Sequence, residues 1–274
     1  MEKCLVLFSG GLDSRLAVKL MQEKGYEVEA IFFNLPFGCG CCDLNCSFKF
    51  TQMNDVKLTI INCTSGKLFQ EYLEIIKNPK HGTGTGINPC RDCKIFMFKK
   101  AKEYADKNCF DIVATGEVLG QRPMSQTRQA LNLIDRKLGF EIKRPLIELG
   151  ISGRKRTRQI ELAKKFQIKY PTPSGGCLLC ERIPGARIKF LIDKNLINEK
   201  IIFLTRLSRH YWIDEWFVVG KNENENKIIE SFATSLKSGR GKPAVYYQKN
   251  QKMAEKIQNL FKNKRQTQLD KFKI

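Results

Sequence analysis

Cys4-Leu5-Val6-Leu7-Phe8-Ser9-Gly10-Gly11-Leu12-Asp13-Ser14 decides how this chain is read. The apolar run Cys4 to Phe8 predicts a buried strand. From Arg15 to Lys24, Leu16, Ala17, Leu20 and Met21 recur at helical spacing. Between strand and helix, Gly10 and Gly11 let a ligand come close to the backbone. The first N–H groups of a helix and its dipole favour an anion there, so the stretch predicts a phosphate cradle. A kinase-type loop ends in Gly-Lys-Ser/Thr, and no lysine follows the glycines here. The loop therefore suits a pyrophosphate group better than transfer of a terminal phosphoryl group.

Working outward, strands are expected at Cys4–Phe8, Val28–Phe33, Lys57–Asn62 and Ile112–Thr115, with amphipathic segments between them. That alternation predicts an α/β fold, a doubly wound parallel sheet with helices on both faces. A ligand should sit at the carboxyl ends of the strands, near Ser9 and Gly116. A helix over 152–170 is expected to start at Ser152, with Ile160, Leu162, Ala163 and Phe166 on one face. After Cys180 the character changes. Ile201–Leu207, Tyr211–Ile213 and Trp216–Val219 are β-like, residues 221–226 read as a polar turn, and 252–274 as a basic helix or frayed end. The expected division is 1–180 for the parallel α/β domain and 181–274 for a smaller, basic α+β domain.

The chain has 274 residues, 42% of them hydrophobic, and a formal net charge of +20. Residues 1–150 hold 21 Lys/Arg against 17 Asp/Glu, and residues 151–274 hold 27 against 11. A basic half beside a phosphate cradle points to a polyanionic partner, most simply RNA. A lysine-rich composition throughout is the alternative. Arg154, Lys155, Arg156 and Arg158 crowd five positions and favour the first. No stretch approaches the roughly 20 apolar residues of a membrane span. No signal-peptide pattern precedes the first strand, so a cytoplasmic protein without membrane contact is expected.

Eleven cysteines in such a chain do not suggest a disulfide framework. Cys90 and Cys93 form one Cys-x-x-Cys pair and Cys177 and Cys180 another. Each pair can offer two thiolates from a single turn, and two pairs can close a four-sulfur site. Spacing leaves zinc, an iron–sulfur cluster and a redox dithiol open. Cys39, Cys41, Cys42 and Cys46 form a looser group after the second strand, read as a sulfur relay, a separate metal site or a loop clamp. Cys4, Cys63 and Cys109 are expected as buried small hydrophobes. His81 lies in a glycine-rich loop ahead of the first pair, as a substrate contact or an exposed loop residue.

Ser9-Gly10-Gly11-x-Asp13-Ser14 resembles the PP-loop of the ATP pyrophosphatases, which split ATP into AMP and pyrophosphate. The resemblance implies ATP contacts at Ser9, Gly10, Gly11, Asp13, Ser14 and Gly116, with Mg²⁺ on Asp13. Three further segments follow in order: Asn88-Pro89-Cys90-Arg91-Asp92-Cys93, Thr115-Gly116-Glu117-Val118-Leu119-Gly120-Gln121 through Ser125-Gln126, and Gly175-Gly176-Cys177. Together they are similar to the PP-loop tRNA sulfurtransferases, the 4-thiouridine synthases above all, over about residues 3–180. The resemblance implies that a uracil carbonyl oxygen of tRNA is adenylated and that sulfur then displaces AMP. Asp13, Cys90, Cys93 and Cys177 would be catalytic, with a persulfide carrier or sulfide as sulfur donor. Cys90, Cys93 and Cys177 would hold a 4Fe-4S cluster with one open iron, or Cys90 or Cys93 would pair with Cys177, one carrying a persulfide sulfur and the other resolving a disulfide. The cluster is favoured, because a Cys-x-x-Cys pair exceeds what the persulfide route needs. Cys180 departs from the pattern: as a fourth ligand it would close the open iron, and otherwise it is a relay or a spectator.

Arg209 through Asn226 resembles the small RNA-binding domain of NFACT-type ribosome-rescue proteins. It implies stacking and phosphate contacts from Arg209, Tyr211, Trp212 and Lys221, against the alternative that Trp212 and Trp216 are core residues. The 4-thiouridine synthases usually carry an RNA-binding domain ahead of the loop. Here the first strand begins near residue 3, so Arg154, Lys155, Arg156, Arg158, Arg209 and Lys221 are the expected grip on tRNA. Two rivals remain, a PP-loop ligase or amidotransferase acting on a small molecule with a structural zinc, and a non-catalytic RNA-binding factor. Oligomeric state is open, a homodimer included.

Overall fold

Apolar residues at every position of a short strand imply cover on both faces, and that is how the first strand lies. A computed structural model describes residues 1–38, 44–84, 87–172 and 177–274, with the side chains of residues 44 and 45 left out. Cys39, Cys41, Cys42, Gly86, Gly175 and Gly176 lie outside the described residues. The chain divides into two units, Met1–Glu181 and Arg182–Ile274.

In the first unit β1 (Lys3–Leu7), α1 (Leu12–Glu23), β2 (Glu27–Asn34), α2 (Leu44–Met53), β3 (Lys57–Asn62), α3 (Gly66–Lys77), α4 (Cys90–Lys107) and β4 (Ile112–Thr115) follow in order. The strands form a four-stranded sheet in the order β3-β2-β1-β4. Every pairing is parallel, with Val6 beside Ala30 on one side and Ala114 on the other. Cys4 and Val6 pack with Leu16, Ala17 and Met21 of α1 and Phe50 of α2. Leu5 faces the other way, onto Ile95 and Phe98 of α4 and Ile134 of α5 (Arg128–Leu138). Helices cover both faces, as a doubly wound sheet requires. Successive strands run outward from β1 to β3, and β4 then joins the opposite side of β1. The crevice for ligands therefore opens where the loops after β1 and β4 diverge.

The segment after β4 departs from expectation. α6 (Pro145–Glu148) is short, and the helix expected from Ser152 begins only at Thr157, as α7 (Thr157–Lys165). Ser152 instead bridges to Leu119 in parallel β fashion, with the Gly153 N–H donating to the Leu119 carbonyl at 2.7 Å. Gly153 has a φ of +81°, which ends any helical run there.

The second unit contains α8 (Arg182–Asp193), β5 (Arg209–Ile213), β6 (Glu215–Val219), α9 (Glu223–Glu230), β7 (Ser235–Leu236), β8 (Val245–Tyr246) and α10 (Gln251–Lys262). Its sheet is antiparallel, in the order β5-β6-β8-β7. Three expectations fail here. Ile202–Arg206 is a 3-10 turn rather than a strand, because the Asn198 side chain accepts from the Lys200 and Ile201 N–H groups and starts a helical turn. The expected polar turn at 221–226 contains the start of α9, capped by Asn222, which accepts from the Glu225 N–H at 2.9 Å. Tyr211, expected to stack on RNA, is 4% exposed and packs with Phe217, Val219 and Ile257.

Trp216 is fully buried, and its indole N–H donates to Nδ1 of buried His210. Trp212 is half-buried, edge-on to Phe190 and under the Lys194 ammonium. Cys4 and Cys63 are buried as expected, but Cys109 is exposed at a left-handed turn with φ +55°. Among the described residues no helix is long and apolar enough to cross a membrane.

Candidate active site

Gly10 and Gly11 serve different ends. Gly10 has a φ of +77°, a backbone that only glycine adopts freely. Gly11, the residue before α1, has φ −74° and ψ 169°, open to any residue. A Cβ built on it would meet only Ser9 Oγ, at 3.6 Å. Protein sterics therefore do not demand glycine at this position. What its missing methyl leaves is open space over the first turn of α1, where helix N–H groups lack intrahelical partners. Ser14 Oγ donates to the Gly11 carbonyl at 2.9 Å, and Ser9 Oγ donates to Ser14 Oγ at 3.3 Å.

The loop is braced from behind by a residue that sequence reasoning passed over. Arg15 is 4% exposed. Its Nε donates to the Gly10 carbonyl at 2.7 Å and one terminal nitrogen to the Lys169 carbonyl at 2.6 Å. Another terminal nitrogen reaches Cys46 Sγ at 3.0 Å, and the guanidinium lies 4.8 Å from the Phe50 ring centroid. Cys46 thus contacts the brace of the loop. In sequence Arg15 is one more polar helix residue, and only its position right after the glycine turn hinted at this.

Asp13 sits in the first turn of α1 with Oδ2 accepting from Gln121 Nε2 at 3.0 Å. Its Oδ1 is buried without a partner. Burial raises the carboxyl above the usual range, against the opposing pull of Gln121, Arg156 and Arg122. Gln159 is fully buried beside Asp13, and its amide helps to hold the carboxyl down. Buried polar atoms are normally satisfied, so the orphan Oδ1 of this carboxylate marks where a polar ligand fits. An oxygen donor with one free lone-pair face suits Mg²⁺. Gly116 closes the crevice from the β4 side. A Cβ there would lie 2.5 Å from the Asp13 carbonyl carbon and oxygen, so only glycine permits the approach.

The cysteine pairs meet on the same carboxyl edge. Cys90 opens α4 and Cys93 follows one turn on, while Cys177 precedes a 3-10 turn spanning Leu178–Cys180. The Asn88 N–H donates to the Leu179 carbonyl at 3.1 Å and ties the two segments together. Cys90 Sγ and Cys180 Sγ are 3.5 Å apart. Cys93 Sγ lies 3.4 Å from the hydroxyl of fully buried Tyr72, and Cys177 Sγ donates to the Phe37 carbonyl at 2.9 Å. The hydrogen bond with Cys180, and burial, push the Cys90 thiol up. Burial pushes Cys93 up to about 12, and contact with Cys177 leads the rise of Cys180 to about 11. Cys90, Cys93 and Cys180 thus stand as thiols, turned toward one another and toward Tyr72. Among the described residues no three of His, Cys, Asp or Glu are grouped so as to hold a metal ion as they stand. The donor set itself, all sulfur and drawn from two pairs, is of the kind that selects zinc or iron–sulfur groups.

One segment joins the cradle to the thiols. From Gly116 to Gln126 it gives Gln121 to Asp13, while its Met124 carbonyl accepts from Arg91 Nε at 3.1 Å. Its Glu117, 3% exposed, pairs with Lys94 of α4 and with Arg144 at 2.8 Å. Burial alone would raise the Glu117 carboxyl, but the two cations outweigh it and hold it below its ordinary range. Arg122 is exposed, and its charge reaches both Asp13 and Cys90. His81 is no free loop residue: Nδ1 lies 2.6 Å from Asp92 Oδ1, which ties His81 to the first turn of α4.

Of the expected RNA contacts in this unit, Arg154, Lys155 and Arg158 are exposed, whereas Arg156 is half-buried and faces Asp13. In the second unit, Arg209 and Lys221 line one cavity with Lys242 and Phe261.

A "Probable tRNA sulfurtransferase" of Thermoanaerobacter sp. (strain X514) is 31% identical over 174 residues, covering 60% of this chain and 40% of that protein. One of the same name from Methanocaldococcus jannaschii is 30% identical over 176 residues, covering 62% and 44%. The chain spans about two-fifths of the length of the curated relatives it matches. A solved 4-thiouridine synthetase–RNA complex with bound ATP is 20% identical, with a TM-score of 0.48 over 73% of this chain and 52% of that one. The family model described as Thiamine biosynthesis protein (ThiI) matches residues 1–177, the stretch that holds the cradle, the Gly116–Gln126 segment and Cys90, Cys93 and Cys177, and the chain belongs to that family.

Proposed function

We propose that this chain carries out ATP-dependent thiolation of tRNA, adenylating a uridine carbonyl oxygen and replacing it with sulfur in the cytoplasm. The observation that carries the reading is the single segment, Gly116–Gln126, tied at once to the phosphate cradle and to the cysteine-bearing helix. A carbonyl oxygen is a poor leaving group and AMP a good one, so the two chemistries must meet on one base. Ser9, Gly10, Gly11, Ser14 and the first-turn N–H groups of α1 hold the ATP phosphates, with Gly116 keeping the crevice narrow. Asp13 binds Mg²⁺ through its unpartnered oxygen, and Arg122 and Arg156 offset the remaining negative charge.

Cys90, Cys93 and Cys177 carry the sulfur chemistry. In the persulfide route the terminal sulfur attacks the adenylated carbon, and AMP departs with the electron pair of the C–O bond. A second thiol then attacks the carrier sulfur, releasing the thiolated base and leaving a disulfide, which an external dithiol must reduce. Cys180, 3.5 Å from Cys90, would supply that second thiol if Cys90 is the carrier. Cys90, Cys93 and Cys177 would equally hold a 4Fe-4S cluster, which would supply a Lewis-acidic iron to bind sulfide. Arg154, Lys155 and Arg158 present cations to the RNA.

The test is anaerobic incubation of the full chain with ATP, Mg²⁺ and bulk unmodified tRNA, in parallel with sulfide and with a persulfide donor plus a dithiol, followed by nucleoside analysis. A thiolated uridine, lost with Asp13→Ala, is expected. No thiolated base, or AMP release that a small metabolite drives without RNA, overturns the reading. Iron, zinc and acid-labile sulfide contents of wild type and Cys177→Ala separate the routes. Iron and sulfide that fall in the variant mark the cluster, and zinc or no metal leaves the persulfide.

A further inference from the structure

We infer that the second unit holds an RNA phosphodiester chain in a basic cleft formed by the hairpin tip Gly239-Arg240-Gly241-Lys242, Lys221 and the Arg209–Phe261 pair. The inference rests on the RNA-directed reading above and names where that substrate's backbone is gripped. A cavity of about 290 Å³ is lined by Arg209, Lys221, Gly239, Gly241, Lys242 and Phe261, and Arg240 lies between the two hairpin glycines in sequence.

Each wall is fixed in a way that favours a bound anion. Arg209 donates to the Gly220 carbonyl at 3.1 Å, and its guanidinium lies 5.0 Å from the Phe261 ring centroid, so its charge is preorganised. Gly220 has no room for a side chain, since a Cβ would fall 1.9 Å from Asn226 Oδ1. The hairpin closes by reciprocal backbone bonds between Gly239 and Lys242, at 2.9 and 2.8 Å. Gly241 takes φ +72°, as the third position of a type II turn requires. A Cβ on Gly239 would meet nothing within 4 Å, leaving the hairpin backbone open to a bulky ligand.

The cations here are not neutralised from within. Among the described residues Lys221, Arg240 and Lys242 have no ion-pair partner, and the nearby carboxylates accept from hydroxyl and backbone N–H groups rather than from these side chains. Glu225 accepts from the Ser208 hydroxyl at 2.6 Å and the Lys221 N–H at 2.9 Å. Glu230 accepts from the Ser238 N–H at 2.7 Å and from its hydroxyl at 2.5 Å. Unneutralised cations around one polar cleft call for several phosphates, which a polynucleotide backbone supplies. A free nucleotide would also need an apolar slot for its base, and the one aromatic ring in the lining is already covered by Arg209.

The experiment compares tRNA binding by the full wild-type chain and by Lys221→Ala/Arg240→Ala/Lys242→Ala, by fluorescence anisotropy across a salt series. Circular dichroism and Tm confirm that both are folded. Binding is expected to weaken at least about tenfold, and the slope of log K against log salt to flatten by about two, as two to three phosphate contacts are lost. Lys221→Arg/Lys242→Arg is expected to retain wild-type affinity. A folded triple variant with unchanged affinity and slope overturns the inference. So does complete displacement of tRNA by millimolar inorganic phosphate, which would mark an isolated anion site. Thiolation by the wild type is scored separately. Thiolation with an unaffected triple variant sinks only the cleft, and a weakened variant without any thiolation sinks only the proposed function.

Discussion

Two glycine-to-alanine substitutions that look alike in the sequence should behave in opposite ways. In Gly116→Ala the new methyl would lie 2.5 Å from the Asp13 carbonyl group and 2.6 Å from the Ser14 nitrogen. Ordinary contact begins near 3.4 Å, so the start of α1 must retreat by about 0.9 Å. Overpacking of this kind costs about 1–3 kcal/mol. A retreat of about 1 Å at the site of chemistry costs about a hundredfold in rate. In Gly11→Ala the backbone angles suit alanine and the methyl meets only Ser9 Oγ at 3.6 Å. The gain from a stiffer unfolded chain, about 0.4–1 kcal/mol, is set against the poorer capping of alanine ahead of a helix. Stability should then stay within about 0.5 kcal/mol of wild type, while the methyl fills the cradle and lowers pyrophosphate release about tenfold or more. Urea unfolding and a coupled pyrophosphate assay read the two effects. If Gly11→Ala turns over ATP like wild type, the phosphates do not lie over that turn. If Gly116→Ala is as stable as wild type, the close approach of β4 to α1 is not real.

Further predictions concern buried groups. Arg15→Ala leaves the Gly10 and Lys169 carbonyls without their charged donor and should destabilise the first unit by about 3 kcal/mol, read as a shifted urea midpoint; a shift under about 0.5 kcal/mol refutes the brace. Because the folded state raises the Asp13 pKa, keeping it ionised costs stability at neutral pH. Asp13→Asn should therefore raise the Tm at pH 7 while abolishing ATP cleavage, with the gain vanishing as pH falls toward 3.8. His210 is buried and neutral with its pKa lowered to about 3 from 6.5, so its contribution is complete above 6.5 and is lost as pH falls through that window. Between pH 7 and 4.5 the second unit should lose roughly 2–3 kcal/mol from this group, reported by Trp216 fluorescence, and His210→Gln should flatten the dependence. Mild oxidation with diamide should link Cys90 to Cys180, since their sulfurs are 3.5 Å apart, and peptide mapping that finds Cys90 linked elsewhere refutes the geometry.

The sheet was legible because its strands are short apolar runs and its first turn is written in glycine. β3 and β4 coincide with the expected spans, and β1 and β2 differ only at their ends. What failed was decided by partners distant in sequence. Ser152 looks like a helix cap until Leu119 claims it for a β-bridge. Ile201–Leu207 has the composition of a strand, and the Asn198 side chain turns it into a helical turn. Tyr211 carries the alternation of a two-faced strand, and only the packing of α10 and Leu269 tells which face is inward. At the site, the cysteine pairs could be named from spacing, Gly116 from its place at the end of a strand, and Asp13 from the resemblance of the loop. Arg15, Gln159 and Tyr72 could not, since each matters through burial, which no local pattern encodes.

The shared segment Gly116–Gln126 has a thermodynamic consequence. A ligand that captures Asp13 competes with Gln121 for that carboxylate, and Gln121 lies three residues from the Met124 carbonyl that Arg91 holds beside Cys90. Any free energy that nucleotide binding spends on shifting this segment is felt by whatever occupies the thiols, and linkage makes the effect mutual. On the proposed function, loading of the thiols and occupancy of the cradle would then be coupled through this segment. A titration of nucleotide affinity against the oxidation state of Cys90 would measure that coupling directly.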